Sequence, residues 1–528
     1  MEMKENFNIP IKEETVKKPG DSIRKEDFAF SAQDIIKELE SKDIKYIGTG
    51  TSDFQAQPLI FDENGKPKVM SDWEMLIVNA QNQEGKHIHT ESHLSDLPKF
   101  LEKSESYIKR SQETNMNMFR FSLDFGRLCP SAGEFDEKMM GDYVKALALV
   151  KAHGQEPMLA MYHWPMPKYL LKMNEKSGKI EAGGWEHPDV AEHFNFYVKS
   201  VLAYLSNDDK VRTALNQQGF SKDDQDKFLS EGLVRHFLSI NEPSTFMTDS
   251  YMVGVFPPFK KGKFSLIKEV TEKLINSHDF IYSELKSGKY KTSEEEAQVG
   301  VAHNWTYFDG LLSKHLQNMN EDLMKKFERD GNHSDFIGLQ YYLRATVPSL
   351  YPPMPLSRLP KPFNKLQQYR EPREAHYSDH PDFGDIYPEG IYHHLVRINE
   401  MYPKKEIFVT EFGFSDKKDL RRPYWILETL RYVLEAKKSG VPIRGMLLWS
   451  LVNNFEWDRG MEQKIGLFEE KDLDKPLKSS EGEGVQGWEA WQSVAAAVAQ
   501  PSEENIQALQ KTYEKAKQQF SKLTGTLL

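Results

Sequence analysis

Two glutamates in this 528-residue chain stand where a carboxylate can do chemistry. Glu242 comes at the end of the apolar run Phe237-Leu238-Ser239-Ile240, after Asn241, and precedes Pro243. Glu411 follows directly on Ile407-Phe408-Val409-Thr410 and precedes Phe412-Gly413. Paired carboxylates at one site suit cleavage of a glycosidic bond. One stays protonated and donates to the leaving oxygen, while the other stays ionised and attacks the anomeric carbon. That chemistry requires the two groups to face one another across a sugar-sized gap of roughly 5 Å. A single glutamate at a strand end is more often a solvated charge or a helix-terminus charge. The weight of the reading therefore rests on the pair.

Positioning two such residues is a task for the surrounding elements. Short apolar runs near Tyr46–Gly48, Met118–Phe121, Pro157–Met161, His236–Ile240, Val299–Ala302, Phe336–Leu339, Ile407–Val409 and Gly445–Leu448 read as strands. Helix-length segments separate them, which points to parallel strands with crossover helices. A closed barrel and a doubly wound sheet both satisfy that pattern. In a barrel, the fourth and seventh strands would present both glutamates at one mouth. Residues 1–44, rich in Lys and Glu, read as an N-terminal extension packed on a unit of residues 45–499. The stretch 479–487 reads as a loop. After Pro501, the spacing of Ile506, Leu509, Tyr513 and Phe520 predicts a terminal helix within 500–528.

Composition excludes several classes. A net charge of −11 argues against a nucleic-acid partner, which would demand a basic face. The single cysteine, Cys129, excludes an internal disulfide and a cysteine-based zinc site. No His/Asp/Glu group has convincing ligand spacing, and His87-Ile88-His89 with His93 reads as a solvated loop, so neither metal nor cofactor is expected. No apolar run is long enough for a signal peptide or a membrane span, which predicts a cytoplasmic protein without a membrane partner. Aromatic residues make up 12% of the chain and suit both a large core and walls that stack on sugar-like rings.

The residues flanking the two glutamates resemble family 1 glycoside hydrolases, the β-glucosidase and β-galactosidase group. Ile240-Asn241-Glu242-Pro243 is similar to that family's acid/base motif, and Val409-Thr410-Glu411-Phe412-Gly413 to its nucleophile motif. Trp449-Ser450-Leu451 and Asn454-Phe455-Glu456-Trp457 resemble its sugar-binding segment. Phe119-Arg120-Phe121-Ser122, His163-Trp164, Gly338-Leu339-Gln340-Tyr341-Tyr342 and Tyr387-Pro388-Glu389-Gly390 match further segments in the family's order. The resemblance implies a single (β/α)8 barrel of the TIM type. It also implies a retaining β-glycosidase, with Glu242 as acid/base and Glu411 as nucleophile. Arg120 and Tyr342 would flank Glu411 and favour its charged form. Asn241 would bond the sugar 2-hydroxyl, a contact that strengthens as the ring flattens. Gln55, His163 and Glu456 would read hydroxyls, and Trp164, Trp449 and Trp457 would complete the binding surface. Taken without the resemblance, Arg120 reads equally well as a structural ion-pair partner, while Trp449 and Trp457 read first as core residues and His163 as a structural histidine.

Several positions depart from the family's pattern. Phe412 stands for Asn, Pro165 for Asp, Gln57 for Glu, Asn453 for Asp, Gln340 for Asn and Phe125 for Trp. Gln340 and Phe412 are expected near the reacting centre, where they would alter rate or aglycone preference. A carboxylate at Glu456 accepts from free hydroxyls and repels a 6-phosphate. The expected partner is therefore a small unphosphorylated β-D-glycoside, a glucoside first and a galactoside or fucoside next. Transglycosylation on the same site and a catalytically silent sugar-binding protein are the competing readings. The intact carboxylates favour the enzyme.

Overall fold

The eight apolar runs become strands because both of their faces are buried, as parallel strands require. In the computed structural model they are β1 (Tyr46–Gly50), β2 (Met118–Ser122), β3 (Glu156–Ala160), β4 (His236–Asn241), β5 (Gln298–Asn304), β6 (Phe336–Tyr341), β7 (Glu406–Phe412) and β8 (Ile443–Leu448). All pair in parallel, and the order β1-β8-β7-β6-β5-β4-β3-β2 returns to β1, so the sheet closes. Closure excludes the doubly wound alternative. The structure describes residues 35, 38–39, 44–82, 97–174, 179–310, 313–347, 387–469, 473 and 484–524. Nearly all of the 1–44 extension, the His87, His89 and His93 segment and residues 479–483 lie outside the described residues.

Helices α1 (Ser104–Glu113), α2 (Glu137–Ala152), α3 (Val190–Leu205), α4 (Phe264–Lys286), α5 (Ser313–Glu328), α6 (Gly390–Met401), α7 (Arg422–Lys438) and α8 (Gly487–Ala499) follow the strands in turn. Local chemistry sets their starts. Asp136 accepts from the Met139 N–H ahead of α2, and Gln486 and Glu489 form a reciprocal capping box that opens α8. A terminal helix, α9 (Glu503–Thr524), packs on α7 and α8 and buries Ile506, Leu509, Tyr513 and Phe520. The ring of Phe520 stacks on Tyr424 at 4.4 Å. Among the described residues no helix is long and apolar enough to cross a membrane.

The barrel interior is a packed plug, which makes it a rigid floor for the site. Tyr46, Met118, Met158, Leu238, Ala302, Phe336, Phe408 and Leu447 fill it. Phe336 and Phe408 meet edge to face at 4.9 Å. Gly300 on β5 makes room for them, since a Cβ there would lie 2.5 Å from the Phe336 ring.

Strict alternation along β4 and β7 would turn Ile240 and Thr410 inward after Leu238 and Phe408. Each strand carries one extra residue instead. Leu238 and Asn241 pair with Gly300 and Ala302 on β5, and Val409 and Phe412 pair with Met446 and Leu448 on β8. Such bulges re-aim side chains, and here they direct Asn241 and Glu411 to the mouth. Phe412 was expected near the reacting centre because it follows Glu411, and the structure corrects that. Its ring turns outward, stacked on Trp425 of α7 at 5.4 Å and edge-on to Trp491 of α8 at 5.2 Å. Phe412→Ala should therefore cost stability, about 3–5 kcal/mol by denaturant unfolding, while the folded protein keeps its turnover. A large loss of turnover without loss of stability would contradict this placement.

Candidate active site

Glu242 sits where β4 gives way to a short helix, Pro243–Met247. Strand pairing continues into the motif: the Asn241 N–H donates to Tyr162 O at 3.0 Å and the Glu242 N–H to Ala302 O at 2.8 Å. Pro243 then opens the helix, where its missing N–H goes unneeded. Glu242 is left with φ 43° and ψ 59°. This left-handed conformation is costly for a non-glycine residue. Trp164 (φ 83°) and Trp457 (φ 50°) share the feature and line the same cavity.

Glu411 stands across the mouth at the end of β7. The Arg120 guanidinium donates to one carboxylate oxygen through Nη1, and the Tyr342 hydroxyl donates to the other. Arg120 is fully buried on β2, and its second arm, Nη2, donates to Asn241 Oδ1 at 2.7 Å. Asn241 Oδ1 also accepts from Gln340 Nε2 at 2.8 Å. With Oδ1 so engaged, Asn241 Nδ2 is the donor toward His163 Nε2 at 3.0 Å. The His163 ring proton therefore lies on Nδ1, which is buried and has no partner among the described residues. Burial holds this imidazole well below its usual pKa, and the Arg120 charge adds to the effect. It is neutral.

A second group closes the far wall. Gln55, in the loop after β1, accepts from Ser52 Oγ at 2.7 Å and donates to Glu456 Oε2 at 3.0 Å. The Phe455 N–H donates to Gln55 O at 3.0 Å, tying the loops after β1 and β8 together. The His163 ring lies nearly parallel to Trp449 and Trp457 at 6.0 and 5.7 Å. Trp164 packs on Trp457 at 4.5 Å and donates from Nε1 to Asn241 O at 2.9 Å. Gln55, His163, Trp164, Asn241, Glu242, Tyr342, Glu411, Trp449, Glu456 and Trp457 all line one cleft, and Arg120 lies directly behind it. The cleft holds about 830 Å³ of empty space including its open mouth, within the range of small-molecule sites.

Sequence reasoning missed several contributors. Asn304 and Thr245, which bond each other at 3.2 Å, stand beside the Glu242 carboxyl and favour its ionised form, and Asp249 and Thr306 line the outer wall. Asn304 was detectable, since it ends β5 on the face where strand ends gather. Pro165 leaves no acid after His163-Trp164. Asp72, the first residue of a distant helix (Asp72–Asn82), accepts from the Met166 N–H at 2.9 Å there. Among the described residues no group of three or more His, Cys, Asp or Glu could hold a metal.

Burial pushes the Glu242 carboxyl up to about 8, and the charge of Glu411 adds to the rise. Burial and the same charge push Glu456 up to about 8 as well. Tyr342 is held well above its ordinary value by burial and by Glu411, so it stays a donor. The arrangement thus offers a proton donor, a hydrogen-bonded carboxylate and hydroxyl-reading groups around one sugar-sized space.

A closed parallel barrel with two carboxyls at one mouth defines a class of hydrolytic enzyme, and comparison with known proteins gives the family. The profile of glycosyl hydrolase family 1 matches residues 45–229 and 313–480. The chain is 26% identical over 416 residues to a β-galactosidase of Saccharolobus solfataricus, covering 69% of this chain and 78% of that one. It is 24% identical over 401 residues to β-glucosidase A of Acetivibrio thermocellus, covering 69% and 80%. The β-glycosidase of Thermosphaera aggregans superimposes with a TM-score of 0.65 at 18% identity, over 88% of this chain and 98% of that one. The chain belongs to glycosyl hydrolase family 1 and is a glycoside hydrolase. Glu242 lies between the two matched segments.

The raised Glu242 value makes a prediction about stability. Unfolded, this carboxyl loses its proton near 4.5; folded, it holds it to about 8. Its contribution is fully present below 4.5 and is lost as pH rises toward 8. Glu242→Gln removes that loss. Calorimetry should show a higher Tm than wild type at pH 8, with the gain fading toward pH 4. A Tm difference constant across that range would contradict the raised pKa.

Proposed function

We propose that this chain is a retaining β-glycosidase for unphosphorylated β-D-glycosides, glucosides first and galactosides or fucosides next. The observation that carries the reading is the unequal pair of carboxyls lining one cleft. Glu411 accepts from Arg120 and Tyr342, whereas Glu242 is pushed up to about 8. Glu411 attacks the anomeric carbon while Glu242 gives its proton to the glycosidic oxygen, and the aglycone leaves as an alcohol. The ester formed on Glu411 carries no charge, so one cause of the high Glu242 pKa disappears. Glu242 then takes a proton from water, whose oxygen attacks the same carbon and frees Glu411 with the starting configuration restored.

Asn241 supports this chemistry by donating toward the 2-hydroxyl. His163, Gln55 and Glu456 line the space for the remaining hydroxyls, and Trp449 and Trp457 wall the ring. The names of the β-galactosidase and β-glucosidase relatives support the same substrate class. A sugar phosphate is disfavoured. Its charge would join Glu411, Asp249 and Asp458 in the cleft, where Arg459 already pairs with Asp458 at 3.5 Å. The catalytic unit is residues 45–499, with 1–44 and 500–528 as extensions.

Product analysis by proton NMR tests the stereochemistry, and an aryl β-glucoside should yield β-glucose first. Glu411→Ala should lower kcat by about 10⁴-fold or more while still binding glucose. A 6-phosphorylated aryl glucoside should be a far poorer substrate than its parent. Release of the α-anomer first, or wild-type turnover by Glu411→Ala, would overturn the proposal.

A further inference from the structure

Gln340 occupies a position that the mechanism above does not use. It lies on β6, fully buried, beside the residues that do. Barrel interiors are filled in layers drawn from alternate strands. Arg120 on β2, Asn241 on β4 and Gln340 on β6 make one hydrogen-bonded layer, centred on Asn241 Oδ1. That oxygen accepts from Arg120 at 2.7 Å and from Gln340 at 2.8 Å. Arg120 is committed elsewhere as well, because its Nη1 holds Glu411 and contacts Thr410 O at 3.3 Å. The amide is also held from Nδ2 by His163 Nε2 at 3.0 Å. On the Oδ1 side the Arg120 bond is shared with Glu411, and the bond from Gln340, reaching from the opposite side of β5, is the second hold on that oxygen.

We propose that Gln340 is a positioning residue: it locks the Asn241 amide so that Nδ2 meets the sugar 2-hydroxyl in the transition state. This rests on the reading of Asn241 given above. The lock acts on one substrate hydroxyl, so its loss is felt only when that hydroxyl is present. Gln340→Met keeps the length of the side chain and leaves Asn241 Oδ1 without that donor. Gln340→Leu removes the donor altogether.

The experiment compares kcat/KM for 4-nitrophenyl β-D-glucoside and its 2-deoxy analogue in wild type, both Gln340 variants and Asn241→Ala. Both Gln340 variants should lose about tenfold or more on the glucoside and little on the 2-deoxy analogue. Equal losses on the two substrates in both variants, or no loss in either, overturn the proposal. Asn241→Ala separates the two levels of inference. If it is selective for the 2-hydroxyl and the Gln340 variants are not, the positioning role alone fails. If Asn241→Ala costs both substrates equally, the reading of Asn241 fails and the role of Gln340 with it.

Discussion

A carboxylate removed from water costs several kcal/mol unless something in the protein answers its charge. Glu411 is only 4% exposed, and the rest of the cleft follows from how that cost is met. Arg120 and Tyr342 each donate to one of its oxygens. Arg120 is an apt partner because its guanidinium stays charged in every environment, and its fork can serve two acceptors at once. The second arm goes to Asn241, so the ion pair also places a substrate-reading group. The negative charge then works outward. It opposes ionisation of Glu242 and of Glu456, both of which burial already disfavours. Near neutral pH Glu242 and Glu456 therefore keep their protons, beside the carboxylate that Arg120 holds.

Such an arrangement demands side chains from across the chain within one small volume, and the barrel supplies them. Strand ends from β2, β4, β6 and β7 converge on one face, while the plug of Phe336, Phe408 and their neighbours stops the floor from yielding. The close approach is tight enough to dictate residue type. A Cβ on Gly413 would stand 2.4 Å from Trp449 O and 3.0 Å from the Tyr342 ring. Left-handed backbone at Trp164, Glu242 and Trp457 adds strain at the cleft itself, where strain of this kind commonly gathers.

How much of this was legible beforehand depended on range. The strands showed clearly, because parallel strands buried on both faces leave continuous apolar runs. Closure of the sheet did not show, since periodicity is the same in open and closed sheets; the family resemblance supplied it. Direction along a strand was the hardest to read. A two-residue period would have pointed Ile240 and Thr410 inward, and the extra residues in β4 and β7 are set by pairing with neighbours far along the chain. The same effect explains Phe412, where nearness to Glu411 in sequence means the opposite face in space. The contact of Asp72 with Met166 was not legible, because it joins the start of a helix to a loop 94 residues away.

The central claim is that the charge on Glu411 helps keep Glu242 protonated. Isotope-edited infrared or carbon NMR titration of the Glu242 carboxyl tests it directly, before and after Glu411 is esterified by a slow fluorinated glucoside. The account predicts a value near 8 in the free enzyme and a clear fall once Glu411 is neutralised. An unchanged value would show that burial alone holds the proton, and would contradict the electrostatic coupling on which the mechanism depends.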